Sequence, residues 1–219
     1  MRFALRSALA LLLAACLISL PVMATPNRAI GFVLQAQGAQ LDGSTAINGT
    51  NVYAGDVMGT DPRGTLRLQI ASSQIYLFGS SAATLSTDES GATTSLTSGT
   101  AGFSAAPGAA VAIRALDVTV RPKTQDATHA QVTVNGPSEL LVTSFRGELT
   151  LELDGQSYSM APGRTYRVQV ETKDQKAMDA GRHLPRNQRK LIFLVFGGAA
   201  AAYGGMVLYH ELTESPDKP

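Results

Sequence analysis

The sequence predicts an all-β fold of short strands, and three observations carry that reading. Apolar and polar residues alternate at period two in window after window between residues 29 and 170, with no equally sustained helical period there. Turn-forming pairs punctuate those windows, among them Asp42-Gly43, Asn48-Gly49, Pro107-Gly108, Asp154-Gly155 and Pro162-Gly163. The composition agrees: 21 glycines, only 16% charged residues and no tryptophan suit a turn-rich β chain better than a helical bundle. The charge balance excludes two classes of protein. With 18 Lys+Arg against 17 Asp+Glu, the chain is neither a globally basic nucleic-acid binder nor an acidic tail. Its one cysteine excludes a disulfide framework or a cysteine zinc site within a single chain.

Residues 1–24 have the pattern of a secretory signal peptide. Arg2 and Arg6 form the basic start, residues 8–20 the apolar stretch, and Val22-Met23-Ala24 a small-residue cleavage site before Thr25. Leu13-Ala14-Ala15-Cys16 also has the form of a lipobox, which would place a lipid on Cys16 instead.

Residues 25–170 predict one folded β body. Leu66, Leu68 and Ile70 alternate with Arg67 and Gln69, and Ile75 and Leu77 alternate with Gln74 and Tyr76. Leu116, Val118 and Val120 follow, then Val132 with Val134, Leu140 with Val142, and Leu149, Leu151 and Leu153; Tyr166, Val168 and Val170 close the series. Each set puts one face inward and one outward, as half-buried strands require. Asp154-Gly155 sits between two such runs and predicts a two-residue hairpin turn. Residues 80–100, rich in Ser, Thr, Ala and Gly, predict loops and short strands with a small share of the core. Strands this short and evenly spaced mean a sandwich, a barrel or a solenoid.

The alternation stops after residue 170. Residues 171–190 carry six basic side chains, Lys173, Lys176, Arg182, Arg186, Arg189 and Lys190, and predict a juxtamembrane stalk. Residues 191–209 are nineteen positions without a charge. As a helix they reach roughly 28 Å, about the hydrocarbon thickness of a bilayer, so they predict one transmembrane helix. Gly197, Ala201 and Gly205 recur at four-residue spacing, as do Gly198 and Ala202, a small-residue stripe on which two helices pack closely. Residues 210–219 form a short tail. The basic stalk alone would put residues 171–190 in the cytoplasm, but large domains follow their signal peptide across the membrane largely regardless of charge.

The order of elements in the body resembles a known family. Gly31-Phe32-Val33-Leu34 opens it, Val52-Tyr53-Ala54-Gly55-Asp56-Val57-Met58-Gly59-Thr60 follows, and then Arg63-Gly64-Thr65-Leu66-Arg67-Leu68. A later Val132-x-Val134-x-Gly136-Pro137 run leads to Leu140-Leu141-Val142 and Arg146-Gly147-Glu148-Leu149-Thr150-Leu151. These phrases resemble the FecR-type extracytoplasmic domain over about residues 29–170. The resemblance implies a short β-solenoid or sandwich-like module and a sensing or binding ectodomain. Two segments depart from the family pattern: Ala71-Ser72-Ser73-Gln74 stands where an Asp-Gly-Ser turn is usual, and residues 116–134 replace a Val-x-Gly-Thr-x-Phe-x-Val phrase. The family's best-known members restrain a sigma factor from a cytoplasmic N-terminal segment. Here signal, domain and span come in the reverse order, so sigma regulation is not implied.

Catalytic and metal-binding patterns are weak. Of the three histidines, His183 and His210 lie outside the body, and His129 in Asp-Ala-Thr-His-Ala reads as an exposed loop residue. Asp56 after Gly55 reads as a residue that hydrogen-bonds its own turn. No glycine pattern fits a nucleotide cradle, and no cofactor is expected. The expectation is therefore a non-catalytic module held by one span in a bacterial inner membrane, its β domain in the periplasm. Its partners would be an envelope protein, a peptide or a polysaccharide, with no nucleic acid. The alternative is a structural scaffold subunit that oligomerises through residues 191–209. Tyr76 and Phe78, opposite Ile75 and Leu77 in the alternation, are the candidate partner-contact stripe.

Overall fold

A computed structural model describes residues 28–123, 126–153, 155–170 and 192–196. The signal peptide, Cys16, the stalk, and the small-residue stripe of Gly197, Gly198, Ala201, Ala202 and Gly205 lie outside them. Fifteen strands follow in chain order: β1 Gly31–Leu41, β2 Ser44–Thr45, β3 Asn51–Val52, β4 Val57–Ile70, β5 Ser73–Leu77, β6 Ala82–Asp88, β7 Gly91–Ala105, β8 Val111–Ala115, β9 Val118–Pro122, β10 Thr128–Val134, β11 Glu139–Arg146, β12 Leu149–Leu153, β13 Gln156–Met160, β14 Arg164–Gln169 and β15 Ile192–Phe196. The described residues are thus all-β, and all fifteen strands belong to one hydrogen-bonded sheet.

Three long strands change partners along their length, and this bends the sheet. The start of β4 (Val57 to Gly59) pairs with β6, while its end (Leu66 to Ile70) pairs with β5. β7 pairs with β6 and β8 through its first half, and with β5 and β10 through its second. β1 pairs with β3 at its start and with β2 at its end, and it shifts register against β4 at Leu34 and at Gly38, whose φ is +52°. Bulges of this kind put a local kink in a strand and let one sheet turn back on itself. Two strand sets result, β5, β10, β11, β14 and β15 in one, β6, β8, β9, β12 and β13 in the other. One core joins them, drawing Ile75, Val132 and Val142 from the first set, Leu85, Ile113, Val120 and Leu151 from the second, and Phe103 from β7. A solenoid stacks its coils through parallel pairs. Among the described residues every pair is antiparallel except β7 with β8, so the strands form one large mixed sheet.

The predicted alternation holds on β4, β5, β10, β11 and β12, where Leu66, Leu68, Ile75, Leu77, Val132, Leu140, Val142, Leu149 and Leu151 are all buried. Leu153 pairs with Gln156, which leaves two residues for the turn at Gly155 (φ +78°); Asp154 itself lies outside the described residues. Asp42-Gly43 likewise turns β1 into β2, both residues with positive φ.

Two expectations about this region need correction. Residues 80–100 hold more strand and more core than expected: β6 and most of β7 form a long hairpin there, with Ala83, Leu85, Ala92, Thr94 and Leu96 buried. Threonine suits a strand, but its alternation with alanine carries too little size contrast to stand out. Leu116 is not a strand residue. It occupies the two-residue turn between β8 and β9 with φ +46°, beside Asp117 at +65°.

The free side of β1 is covered. Ile30 N–H donates to the Val52 carbonyl and Val33 N–H to that of Thr50, at 2.9 and 2.8 Å, while Ala36 N–H donates to Asn48 Oδ1 at 2.9 Å. Loop 44–52 therefore closes one edge that would otherwise accept a foreign strand.

The turn from β4 to β5 holds Ala71 at φ +48°, an exposed residue in a conformation that penalises any Cβ. Ala71→Gly is expected to stabilise the fold by about 0.5–1 kcal/mol, the steric relief exceeding the extra entropy of an unfolded glycine. The melting temperature should rise by about 2–4 °C; a fall would show that the turn is not strained at this position.

Five residues of the expected transmembrane helix, those of β15, are described, and they form a strand. They pair antiparallel with β14, from Thr165 opposite Phe196 to Gln169 opposite Ile192. The sequence Ile-Phe-Leu-Val-Phe is aromatic and β-branched, as strands favour. The rest of residues 191–209 lies outside the described residues, among which no helix is long and apolar enough to cross a membrane.

Candidate functional site

The core-facing residues of the first strand set leave their sequence neighbours on a broad opposite face. Register fixes who meets whom there. Arg67, Tyr76, Gly102, Gln131, Thr143 and Thr165 follow one another as direct partners across β4, β5, β7, β10, β11 and β14. A second row runs Gln69, Gln74, Ser104 and His129. A third runs Thr100, Thr133, Leu141 and Arg167.

Polar side chains knit this face together. Arg67 donates through Nε and Nη2 to Gln74 Oε1 at 3.1 and 2.7 Å, and the Tyr76 hydroxyl donates to the same oxygen. Gln74 Nε2 donates to Gln69 Oε1 at 3.2 Å. The Arg67 guanidinium also lies over the Tyr76 ring, 5.4 Å from its centroid. Further along, Thr100 and Thr133 share a hydrogen bond of 3.0 Å, as do Thr143 and Thr165.

Tyr76 and Phe78 both lie on this face, as the alternation predicts, but they are held differently. Tyr76 is only 8% exposed, so its ring is packed and its hydroxyl committed to Gln74. Burial pushes its phenol pKa up, with Arg67 opposing the shift. Phe78 is half-buried and lies beside Gly102, where an added Cβ would stand 3.7 Å from Phe78 Cε2 and 3.0 Å from the Ala130 carbonyl oxygen. A glycine in mid-strand leaves the floor on which the neighbouring aromatic rests.

His129 is a correction. It is a half-buried strand residue of β10 whose Nε2 lies 2.9 Å from Ser104 Oγ on β7. The alternation is faint here because Thr128 and Ala130, not large aliphatics, fill the core positions on either side. Burial, and then the positive charge of Arg146, hold the imidazole pKa below its ordinary value. Its cross-strand partners are Arg146 on β11 and Ser104 on β7.

This depression sets a pH dependence. Above about pH 6.5 the imidazole is neutral in both folded and unfolded chains. Below it the unfolded chain takes up the proton first, so stability falls as pH drops toward the lower folded value. The urea midpoint should therefore decline between about pH 7.5 and about pH 5.5, and His129→Gln should flatten that decline. The wild-type-minus-variant difference is the readout, because Asp56 titrates as well, its carboxyl raised by burial. Equal slopes in the two chains would rule out His129 as the source. Asp56 otherwise behaves as the sequence predicts, accepting the Tyr53 N–H of its own turn through Oδ2 at 2.8 Å.

A second feature lies at one end of the sheet. The β4–β5 turn and the start of β7 enclose a cleft of about 430 Å³ lined by Ile30, Ile70, Ala71, Ala92 and Val111, with Arg28 and Asp88 among its polar residues. Ser90 donates to Asp88 from both its backbone and its hydroxyl, which holds that carboxyl below its ordinary pKa. Among the described residues no three His, Cys, Asp or Glu gather closely enough to hold a metal.

Arg67, Gln131, Ser104 and the threonine pairs were not singled out by sequence reasoning. Their outward position was readable from the alternation, but their convergence depends on register between strands far apart in the chain.

No family model matches this chain, and no curated protein matches it. Two crystal structures, each of a "putative anti-sigma factor" from Parabacteroides distasonis, are similar in fold. The first has 9% sequence identity and a TM-score of 0.48, covering 69% of this chain and 64% of that one. The second has 10% identity and a TM-score of 0.43, covering 52% and 54%. The chain thus spans less than two thirds of the length of either.

Proposed function

We propose that this chain is a non-catalytic binding or sensing module of the FecR type, held at a bacterial inner membrane by residues 191–209, with its β domain in the periplasm. The observation that carries the reading is the outer sheet face, six strands in register from Arg67 to Thr165 with amide, hydroxyl and guanidinium groups along the row. Such a face rests on a rigid core and offers hydrogen-bonding groups at strand spacing, which suits a polar ligand such as a polysaccharide or an extended peptide. Phe78 adds apolar contact at its margin.

The polarity of this face also suits the alternative, a scaffold subunit whose assembly runs through residues 191–209. One experiment separates the two. A photocrosslinking amino acid at Gln131 of the full chain, activated in the native envelope, should capture an envelope protein or glycan. The same amino acid placed at Ala201 in a second chain reports the other contact: crosslinks there to another copy, with the Gln131 probe silent, would favour the scaffold and overturn the binding module. Protease added outside spheroplasts should cleave within residues 28–170; protection there would overturn the topology.

A further inference from the structure

We infer that the outer edge of β14 is a strand-addition surface whose occupant is the chain's own Ile192–Phe196, and that this edge competes with the bilayer for those five residues. The inference rests on reading residues 191–209 as a membrane span. An edge strand presents a row of unpaired backbone donors and acceptors, and β15 satisfies them along β14 from Thr165 to Gln169.

The register is chemically consistent on one side. Phe193 and Val195 stand opposite Val168 and Tyr166, of which Val168 is fully buried and Tyr166 packs against the core. On the other side Leu194 stands opposite Arg167 and Ile192 opposite Gln169, an exposed residue, which pairs apolar with polar positions. All five residues are apolar, which is what a bilayer requires.

Length makes the two locations exclusive. Residues 191–209 as a helix span roughly 28 Å, enough for the roughly 30 Å hydrocarbon layer. With residues 192–196 paired to β14, the thirteen uncharged residues 197–209 reach only about 20 Å as a helix. A chain with β15 in place cannot also span by that helix, and a spanning chain leaves the β14 edge open to another strand.

The test joins Thr165→Cys to Phe196→Cys in the full chain carrying Cys16→Ser. These positions are direct antiparallel partners, close enough for a disulfide. The chain is synthesised cell-free, with or without vesicles of phosphatidylethanolamine and phosphatidylglycerol. The disulfide should form without vesicles, the oxidised chain should lose carbonate-resistant flotation with vesicles added, and reduction should restore it. Equal insertion of oxidised and reduced chains overturns the competition. Failure of the disulfide to form overturns the occupancy of the edge, whatever the flotation. A disulfide that forms in a chain that never inserts, oxidised or reduced, overturns the membrane-span reading and the competition with it, leaving the edge pairing standing. Hydrogen exchange in the chain without substitutions gives a second readout: the edge-facing amides of residues 165–169 should exchange slowly without vesicles and faster with them. Unchanged exchange in a chain that inserts would also overturn the competition.

Discussion

Gly99→Ala should cost about 3–5 kcal/mol of folding stability, a large share of the 5–15 kcal/mol that holds a typical domain together. Two penalties add. Gly99 has φ +81°, where a side chain costs about 1–2 kcal/mol. A Cβ there would also fall 2.4 Å from Ser81 Oγ and 2.6 Å from both the Ser80 carbonyl oxygen and Ser81 Cα. The hydroxyl cannot simply swing away. Ser81 Oγ donates to the Thr100 carbonyl at 2.9 Å and accepts the Thr100 N–H at 2.8 Å, so moving it breaks two bonds beside the bend of β7. Gly49 supplies the control, because its φ is +84° yet no heavy atom lies within 4 Å of its Cβ position. Gly49→Ala should cost only the backbone share, about 1–2 kcal/mol. Urea unfolding of both variants decides the matter: equal losses would mean that β7 bends without the close approach at Ser81.

Gly99 also shows where the sequence stops being readable. Strands with large aliphatic residues at every second position, such as Leu66-Leu68-Ile70 and Leu149-Leu151-Leu153, announce their buried face, and the structure places them so. β7 obeys the same inside–outside rule with Ala92, Thr94, Ala101 and Ala105. Periodicity in hydrophobicity registers bulk, and small residues carry the pattern with almost none of it. The bulk comes from partners across the core, which a local reading cannot see. The bend itself was hidden for the same reason: a glycine amid Ser and Thr looks like one more loop signal.

The candidate site divides in the same way. That Gln74 and Tyr76 face away from Ile75 and Leu77 follows from the alternation alone. That Tyr76 meets Gly102, and Gly102 meets Gln131, follows only from register between three strands, and register is set by the whole sheet. β15 was hidden by a different ambiguity, since five apolar residues satisfy a bilayer and a sheet edge alike.

Phe103→Ala should cost about 3–5 kcal/mol, and comparison with Phe78→Ala tests whether the outer face is free to bind. Phe103 is 1% exposed and among the largest fully buried side chains, with Ile75 and Ala130 as its direct strand partners and alanines two positions away on either side. Neighbours this small cannot close over the space a phenyl ring leaves, so the cavity penalty adds in full to the lost transfer energy. Phe103→Leu, which keeps most of the volume, should cost less than about 1.5 kcal/mol. Phe78 lies on the opposite face and is half-buried, so its truncation should cost only about 1 kcal/mol. Denaturant midpoints of the three variants give the ordering. Should Phe78→Ala prove as damaging as Phe103→Ala, Tyr76 and Phe78 would form a second core layer that unfolding alone exposes, and no partner could use that margin. With the predicted ordering, Phe78→Ala leaves a folded domain in which any loss of capture at Gln131 reports on binding and not on folding.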